Sequence, residues 1–209
     1  MAHFQEQLYN QLKIERPEVV VETGVQTGVS TDWILRALVE NRRGCLYSID
    51  PSITKIDAVT ETLTEEQLGH WYPEAGLSVD VLKRLPLRPA WDVFLHDSDH
   101  NVHCQTYELE FAWRMVRPGG LICADDYTWG DHGAWPKFCT RHGATALDTS
   151  TLGAMAYFRK PLSTPWTPPT AEDVAEWHQH CLVLARLAAG APADGVFVGA
   201  AQDGVVSVY

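Results

Sequence analysis

The sequence predicts an α/β fold in which helices pack on a mostly parallel sheet. Three short apolar runs, at residues 18–24, 91–97 and 121–126, have the composition of buried parallel strands. Longer segments with helical periodicity lie between them, and such alternation is the pattern of layered α/β proteins. The crossovers between parallel strands are therefore expected to be right-handed.

The first half of the chain predicts a short amphipathic helix, then the strand at 18–24 and a second helix. The N-terminal segment has neither the apolar core nor the cleavage site of a secretion signal. The second helix can begin at Ser30 or Thr31 as its N-cap, and Gly44 lies just past its end. The elements that follow are a strand at 45–50, a weak helix-and-strand region at 64–76 and a short helix at 78–86.

The second half of the predicted core starts with a helix over residues 104–120, which stops at a Pro-Gly-Gly sequence. The elements after it are the strand at 121–126, a helix at 133–143 and a hairpin at 144–160. Three polar residues near the start of the long helix have structural interpretations. Asp99 is expected to cap the helix, His96 to be a hydrogen-bonded core histidine, and His103 to lie on the helix surface.

Residues 161–209 are predicted to form a C-terminal appendage to a core of residues 1–160. A proline-rich link precedes a helix at 171–190, and two β runs flank Asp203-Gly204, which is a good hairpin turn signal. Two interpretations of this appendage stay open: it covers an active site, or it forms the contact of a homo-oligomer.

The charge balance argues against a nucleic-acid backbone or an anionic membrane surface as the main partner. The chain of 209 residues has a net charge of −11, whereas binding to phosphates needs a basic surface. It has no apolar run of about eighteen residues, the length that a membrane-spanning helix needs. The five cysteines include no CxxC pair, which argues against structural zinc and favours a reduced, cytoplasmic setting.

A loop with two glycines, ETGVQTGVS, follows the first predicted strand. Ligands of open α/β sheets bind at the carboxyl ends of strands, and Gly24 and Gly28 would let the backbone turn beside one. The GxxxG spacing satisfies neither the dinucleotide motif GxGxxG nor a P-loop. Glu22 and Asp50, at two successive strand ends, favour a nucleoside ligand because a carboxylate there can bind a ribose diol. A turn that needs glycine only for its geometry is the alternative.

Carboxylates also follow two later strands. Asp97 closes the strand at 91–97, and Asp125 and Asp126 close the strand at 121–126. If these strands are neighbours, their ends lie about 5 Å apart and the carboxylates converge. Without a cation they would repel one another, and an oxygen-only cluster suits Mg²⁺.

His100 lies three residues after Asp97, and so beside the predicted ion. An imidazole there could be the general base that takes a proton from a hydroxyl acidified by the metal. The run HDSDH also has a weak similarity to the HxHxDH motif of metallo-β-lactamase-like hydrolases. The second histidine of that motif is absent here, however, and the order of strands and helices does not suit that fold.

Together these motifs make residues 17–160 resemble the class I S-adenosylmethionine-dependent methyltransferases. The run VVVETGVQTGVST resembles the first glycine motif of that family, and LYSIDP resembles its ribose-binding strand end. The blocks DSDH, RPGG and DDY are similar to those of a small bacterial subgroup that includes macrolide-sugar O-methyltransferases and cephalosporin-biosynthesis proteins. Ser98 departs from the glycine that is common at its position. The resemblance implies a Rossmann-like, doubly wound, seven-stranded sheet with a C-terminal antiparallel hairpin.

The resemblance also implies a function, which is transfer of a methyl group from S-adenosylmethionine to a hydroxyl of a small molecule in secondary metabolism. It implies His100 as the base and a Mg²⁺ ion held by Asp97, Asp125 and Asp126. The residues expected at the cofactor are Glu22, Gly24, Gln26, Gly28, Ser30, Asp50, Ser78 and Asp97. The candidate walls of the acceptor pocket, of which the two tryptophans could equally be packing residues, are Tyr127, Trp129, His132 and Trp135.

Two alternatives stay open at this point. The chain could be a metal-independent O- or N-methyltransferase that uses His100 alone, because not every member of the subgroup keeps the metal. It could also be a non-catalytic protein that binds the cofactor as the partner of a second enzyme.

Overall fold

The computed structural model describes residues 4–85, 90–127, 133–144, 149–152, 155–190, 198–200 and 206–208. Its helices are α1 (Phe4–Glu15), α2 (Val29–Asn41), α3 (Ile53–Thr60), α4 (Glu65–Leu68), α5 (Ser78–Val81), α6 (Val102–Met115), α7 (Ala134–Arg141) and α8 (Ala171–Ala188). Its strands are β1 (Val19–Thr23), β2 (Cys45–Asp50), β3 (Trp71–Ala75), β4 (Trp91–His96), β5 (Val116–Ala124), β6 (Thr149–Leu152), β7 (Met155–Arg159), β8 (Val198–Ala200) and β9 (Val206–Val208). Within these residues, no helix has the length and apolar composition needed to cross a membrane.

The strands β1 to β7 form one sheet in the order β3-β2-β1-β4-β5-β7-β6. The strands β1 to β5 pair in parallel, whereas β7 pairs antiparallel with both β5 and β6. The strands β8 and β9 form a separate antiparallel pair. The direction of winding reverses between β1 and β4, and such a reversal opens a crevice for ligands at the carboxyl ends of the strands. The prediction of an α/β, Rossmann-like fold with a mixed, mostly parallel sheet is confirmed.

Helices cover both faces of the sheet, because successive residues of a strand point to opposite faces. Val21, Phe94 and Ile122 belong to one buried cluster, together with residues of α6 and α8. Val20 and Val93 belong to a second cluster, with residues of α1 and α2. The strands β1 and β4 are buried along their whole length. This double burial explains why their sequences are continuous apolar runs.

The helix α8 packs along α6 and contributes to the first of these clusters. Val174 and Cys181 of α8 lie in the same buried cluster as Phe111 of α6. The Tyr107 hydroxyl and Nδ1 of His178 share a hydrogen bond of 2.9 Å between the two helices. The segment that holds α8 therefore completes the helical layer on this face of the sheet.

The helix α2 begins without the side-chain cap that the sequence predicts. Its N-cap is Gly28, which has no side chain to accept a hydrogen bond. Ser30 and Thr31 lie in the first turn, and their hydroxyls donate to Asp97 and Glu22. The prediction of a cap at these residues is wrong because buried carboxylates at the strand ends take up both hydroxyls.

The strand β5 begins earlier than the sequence predicts. It starts at Val116, directly after α6, and ends at Ala124, so Pro118 lies inside it. A register shift in its pairing with β4 accommodates the proline, because an irregularity in the ladder tolerates a residue without an N–H donor. Asp125 and Asp126 consequently lie beyond the strand, in a turn.

The start of α6 differs from the prediction at two residues. Asn101 is the N-cap, and its side chain accepts a hydrogen bond of 2.8 Å from the N–H of Cys104. Asp99 supports this cap by accepting a hydrogen bond of 3.2 Å from the N–H of Asn101. His103 is buried and not on the surface, because other elements surround most of the circumference of α6.

Candidate functional site

The predicted site residues lie at the carboxyl ends of adjacent strands. The strands β1, β4 and β5 are neighbours and end in register. Gly24, Asp97 and Asp125 directly follow these three strands and are therefore next to one another. Asp50 ends β2, on the other side of β1. This edge of the sheet is where open α/β proteins bind their ligands.

The loop between β1 and α2 requires glycine at two positions. Gly24 and Gly28 have φ angles of 87° and 78°, in the left-handed region. A Cβ on Gly24 would overlap the backbone carbonyl of Asp97, and a Cβ on Gly28 would lie 2.7 Å from the methyl groups of Val59. Gln26, between them, is exposed and also left-handed, with a φ of 49°. The glycines thus let this loop pack against α3 and against the loop after β4.

Glu22 is fully buried near the end of β1. Its Oε2 accepts hydrogen bonds of 2.8 Å from both Thr31 and Ser48, whereas its Oε1 has no partner among the described residues. Burial raises the pKa of Glu22 to about 7, although these two hydrogen bonds lower it. A buried oxygen without a partner costs about 1–3 kcal/mol, so Oε1 is a candidate acceptor for a donor group of a ligand.

Asp50 ties the glycine loop to the end of β2. Its Oδ2 accepts hydrogen bonds of 3.0 and 3.2 Å from the N–H groups of Val25 and Gln26. Its Oδ1 accepts one of 2.8 Å from the N–H of Ser52. Each carboxylate oxygen has two lone pairs, so Oδ1 can accept a further hydrogen bond from a ribose hydroxyl.

Asp97 and Asp125 form a close pair of carboxyl groups. The two carboxyl groups can hydrogen-bond to each other only when one of them is protonated, and Ser30 donates to Oδ2 of Asp97 at 2.9 Å. Burial, followed by the neighbouring Asp125, raises the pKa of Asp97. Burial, followed by the neighbouring Asp126, raises the pKa of Asp125. The pair therefore favours sharing a proton over carrying two negative charges.

His100 lies beside Asp126, the residue after that pair. Asp126 has a left-handed backbone with a φ of 44°, and its Oδ2 is 3.9 Å from Nε2 of His100. Burial lowers the pKa of His100, and the nearby His96 lowers it further. His100 is thereby kept neutral near pH 7, and only a neutral imidazole can accept a proton.

The three aspartates do not fit Mg²⁺ as they stand. Among the described residues, no group of three or more histidine, cysteine, aspartate or glutamate side chains is arranged to hold a metal ion. Asp97 and Asp125 have the oxygen ligands that Mg²⁺ prefers, but these two carboxyl groups interact with each other, and Asp126 lies beside His100. The carboxylates would have to rearrange before they could surround an ion.

Glu108 of α6 is a buried residue of the site that the sequence analysis missed. It accepts hydrogen bonds from Thr23 at 2.5 Å, from Nδ1 of His96 at 2.6 Å and from Ser98 at 2.8 Å. Burial alone would raise the pKa of Glu108, but His96 and the other hydrogen bonds bring it below its ordinary value. Glu108 thus holds the ends of β1 and β4, and the loop after β4, against α6.

The position of Glu108 in the apolar stripe of α6 could have indicated from the sequence that it is buried and hydrogen-bonded. Cys104, Phe111 and Met115 share its face of the helix and are buried. A single carboxylate in such an apolar stripe requires buried donors. Ser78, at the start of α5, is one of these donors, since its hydrogen bond contributes to the lowered pKa of Glu108.

His96 is a core histidine, as predicted, but only one of its nitrogens is bonded within the described residues. Nδ1 contacts Glu108, whereas Nε2 is buried and has no partner there. Its ring stands at 85° to that of His100, with 5.5 Å between the ring centroids. His96 therefore forms the wall behind His100.

The four residues predicted for the acceptor pocket have different surroundings. Tyr127 is half-buried and packs against the main core cluster. Trp135 is buried within that cluster, and its ring centroid is 5.7 Å from that of Phe138, which favours the packing interpretation. Trp129 and His132 lie outside the described residues.

A family model described as a methyltransferase domain matches residues 21–127, slightly more than half of the chain. The matched segment begins in β1 and ends directly after Asp126, so it contains all the strand ends described above. A comparison with curated proteins gives no match.

Solved methyltransferase structures share the fold. The O-methyltransferase from Bacillus cereus, in complex with SAH, is 18% identical with a TM-score of 0.61, over 75% of this chain and 80% of that one. TomG from Streptomyces achromogenes, an O-methyltransferase involved in tomaymycin synthesis and solved with SAM, is 19% identical with a TM-score of 0.60, over 75% and 79%. SAH-bound PaMTH1 from Podospora anserina is 14% identical with a TM-score of 0.60, over 77% and 80%.

Proposed function

The chain belongs to the methyltransferase-domain family whose model matches it, and from that membership we propose that it transfers a methyl group from S-adenosylmethionine to a hydroxyl group of a small molecule. The observation that carries the proposal is His100, a neutral imidazole at the edge of the sheet where α/β proteins bind their ligands. Structures of the same fold contain SAM or SAH, which supports the choice of methyl donor.

The cofactor is proposed to lie along the loop between β1 and α2, and it supplies a methyl group that its positively charged sulfur already activates. The buried Oε1 of Glu22 accepts a hydrogen bond from the amino group of the methionine part. Oδ1 of Asp50 accepts one from a ribose hydroxyl. The other residues proposed to contact the cofactor are Gly24, Gln26, Gly28, Ser30, Ser78 and Asp97.

His100 takes the proton of the acceptor hydroxyl. As the proton leaves, the oxygen forms a bond to the methyl carbon and the carbon–sulfur bond breaks, so that S-adenosylhomocysteine is released. Asp126, at 3.9 Å, stabilises the imidazolium that forms. The protein must otherwise only hold the hydroxyl oxygen in line with the methyl group and exclude water.

A more specific form of this proposal adds a Mg²⁺ ion that assists the reaction. It rests on the ligand chemistry of Asp97, Asp125 and Asp126, and no step above depends on it. Activity after treatment with EDTA, and after Mg²⁺ is restored, distinguishes the two versions. An unchanged rate after chelation supports His100 acting without a metal, whereas a loss that Mg²⁺ reverses supports a rearranged carboxylate site.

A methyl-transfer assay with radiolabelled S-adenosylmethionine tests the proposed reaction. The acceptors should be hydroxyl-bearing natural products, because one structure of the same fold is an enzyme of tomaymycin synthesis. In the His100→Ala variant we expect kcat to fall by about 100- to 10,000-fold, the usual contribution of a general base. The Kd for S-adenosylmethionine should not change.

The matched control is His180→Ala, which removes an exposed histidine of α8. It should leave both kcat and cofactor affinity as they are. If His100→Ala abolishes cofactor binding, or leaves kcat unchanged, His100 is not the base.

A further inference from the structure

A cavity of about 230 Å³ lies at the opposite end of the sheet from the methyl-transfer site. It is formed where the last turn of α6 meets the link after β7 and the helix α8. The lining residues are Trp113, Arg114, Lys160, Thr164, Pro165, Trp166, Thr167 and Trp177. Arg114 lies just before the start of β5, whereas Asp125 follows its end, and the strand has 9 residues. The two places are therefore separated by about 25 Å.

Two cations that line this cavity have no carboxylate partner in the part of the chain that the structure describes. Among the described residues, no ion pair joins Arg114 or Lys160 to an acidic side chain. Lys160 is 2% exposed, and its ammonium donates to the carbonyls of Trp113 and Val116 at 2.6 and 2.7 Å. These bonds cap the end of α6, but their acceptors are neutral carbonyls and not carboxylates.

The pKa of Lys160 reflects the energetic cost of this buried charge. Burial lowers the pKa of Lys160 to about 8, and the neighbouring Arg114 lowers it further. Arg114 and Lys160 are thus two cations that line one cavity in a chain with a net charge of −11. An anion placed in the cavity would stabilise both of them.

Three indole rings supply the walls of the cavity. The Lys160 ammonium is 5.0 Å from the ring centroid of Trp113, and the Arg114 guanidinium is 5.7 Å from that of Trp177. Trp166 donates its indole N–H to the carbonyl of Arg114 at 2.9 Å, so its polar group is already used. His142 stacks on the ring of Trp113, with 4.0 Å between the ring centroids, so the apolar surface against which another aromatic ring can pack is that of Trp166 and Trp177.

We propose that this cavity binds a small aromatic carboxylate, at a site separate from the methyl-transfer site. The carboxylate pairs with the fork of the Arg114 guanidinium, and the ring of the ligand packs among the indoles. The cavity is smaller than the pockets of about 300–1,000 Å³ that hold drug-sized ligands, so it suits one ring with one acidic group. The proposal does not depend on the methyl acceptor or on the proposed function.

Isothermal titration calorimetry with benzoate tests the proposal. Benzamide serves as the neutral probe and benzylamine as the cationic one, and saturating S-adenosylhomocysteine is present so that the cofactor site is filled. We expect benzoate to bind with a stoichiometry of one and benzylamine not to bind. In the Arg114→Gln variant the Kd of benzoate should rise by about 10-fold or more, because a charge-assisted pair is lost.

The matched control is Arg36→Gln, which removes an arginine that lies over another tryptophan, Trp33, at 5.3 Å. This variant should bind benzoate as the wild type does. Trp177→Leu, which removes one wall, should also weaken binding and provides a second test if Arg114→Gln does not fold by circular dichroism. The proposal is overturned if benzoate does not bind, if benzamide binds equally well, or if the lining variants bind benzoate like the wild type.

Discussion

The carboxyl group of Glu22 holds its proton in the folded protein at pH values where the unfolded chain has released it. Burial raises the pKa of Glu22 from its ordinary value of 4.5 to about 7. Across that interval the folded state binds more protons than the unfolded state, so stability falls as the pH rises. The glutamine of the Glu22→Gln variant has no carboxyl group, so it does not titrate in this pH range. We therefore expect a flatter pH dependence and a free energy of unfolding about 2–3 kcal/mol higher above pH 7.

Urea unfolding between about pH 5 and about pH 8 measures this difference. Glu74→Gln, at an exposed residue of β3, is the control and should keep the wild-type slope. The same Glu22→Gln variant should bind S-adenosylmethionine more weakly, because its amide oxygen carries no negative charge to strengthen the hydrogen bond from the amino group. A wild-type slope in Glu22→Gln would contradict the protonated state of Glu22.

Replacing Gly24 and Gly143 by alanine distinguishes the cost of a left-handed backbone from the cost of a steric overlap. Both have a positive φ, but a Cβ on Gly24 overlaps the carbonyl of Asp97, whereas a Cβ on Gly143 meets nothing within 4 Å. We expect Gly143→Ala to lower the free energy of unfolding by about 1–2 kcal/mol, which is the cost of the left-handed backbone alone. Gly24→Ala should cost clearly more and should also lower cofactor affinity. Equal costs in denaturant titrations would mean that the loop moves freely away from the loop after β4.

At the scale of elements, α6 carries two buried glutamates that act in different places. Glu108 binds Thr23, His96 and Ser98 behind the site, whereas Glu110 pairs with Arg141 of α7. Glu108→Gln removes the negative charge that holds the end of β4. We expect it to destabilise the protein by about 3–5 kcal/mol, the usual effect of breaking a buried pair.

Glu110→Gln is the matched variant, since it changes the same residue type two positions along the same helix. It should also destabilise the fold, but kcat for the fraction that is folded should stay at the wild-type value. Glu108→Gln should lower kcat as well, because the loop that carries His100 loses its attachment. If the two variants reduce kcat equally, Glu108 stabilises the core without positioning the site. Steady-state kinetics combined with thermal melting distinguishes these results.

The strands were predictable because the sheet is covered on both faces. The apolar runs of β1 and β4 have the composition of strands that are buried on both faces. The helix α3 was not predicted, because it has only 8 residues and only Ile56 and Val59 among them are buried. The burial of His103 was missed for a different reason, since periodicity within α6 does not reveal that other helices pack on its outer side.

The site was predictable as a location but not as a set of contacts. Asp97 and Asp125 were expected together, because polar residues after buried strands meet at one edge of the sheet. The turn after β5 decides the rest: the left-handed backbone of Asp126 places its carboxylate beside His100. Ser30 was predicted as a cap and instead binds Asp97, because nothing in the local sequence shows which buried acceptor is near.

At the scale of the whole molecule, α8 covers an apolar face of α6 that would otherwise be exposed to water. Val174, Cys181, Leu182 and Ala185 are buried in the cluster that also holds the centre of α6. Apolar burial contributes about 25 cal/mol for each Å², and the net stability of a domain is only about 5–15 kcal/mol. Removing the whole of α8 could therefore cost as much free energy as the net stability of the domain.

Truncation tests whether residues 161–209 form an appendage or a part of the core. We expect the segment 1–160 to lose cooperative thermal unfolding and to aggregate, because the outer face of α6 becomes exposed to water. The segment 1–190 keeps α8 and should melt cooperatively, since β8 and β9 pair only with each other among the described strands. Circular dichroism melting and gel filtration of both segments measure the effect. A segment 1–160 that unfolds cooperatively and binds S-adenosylmethionine like the full chain would instead place the domain boundary at residue 160.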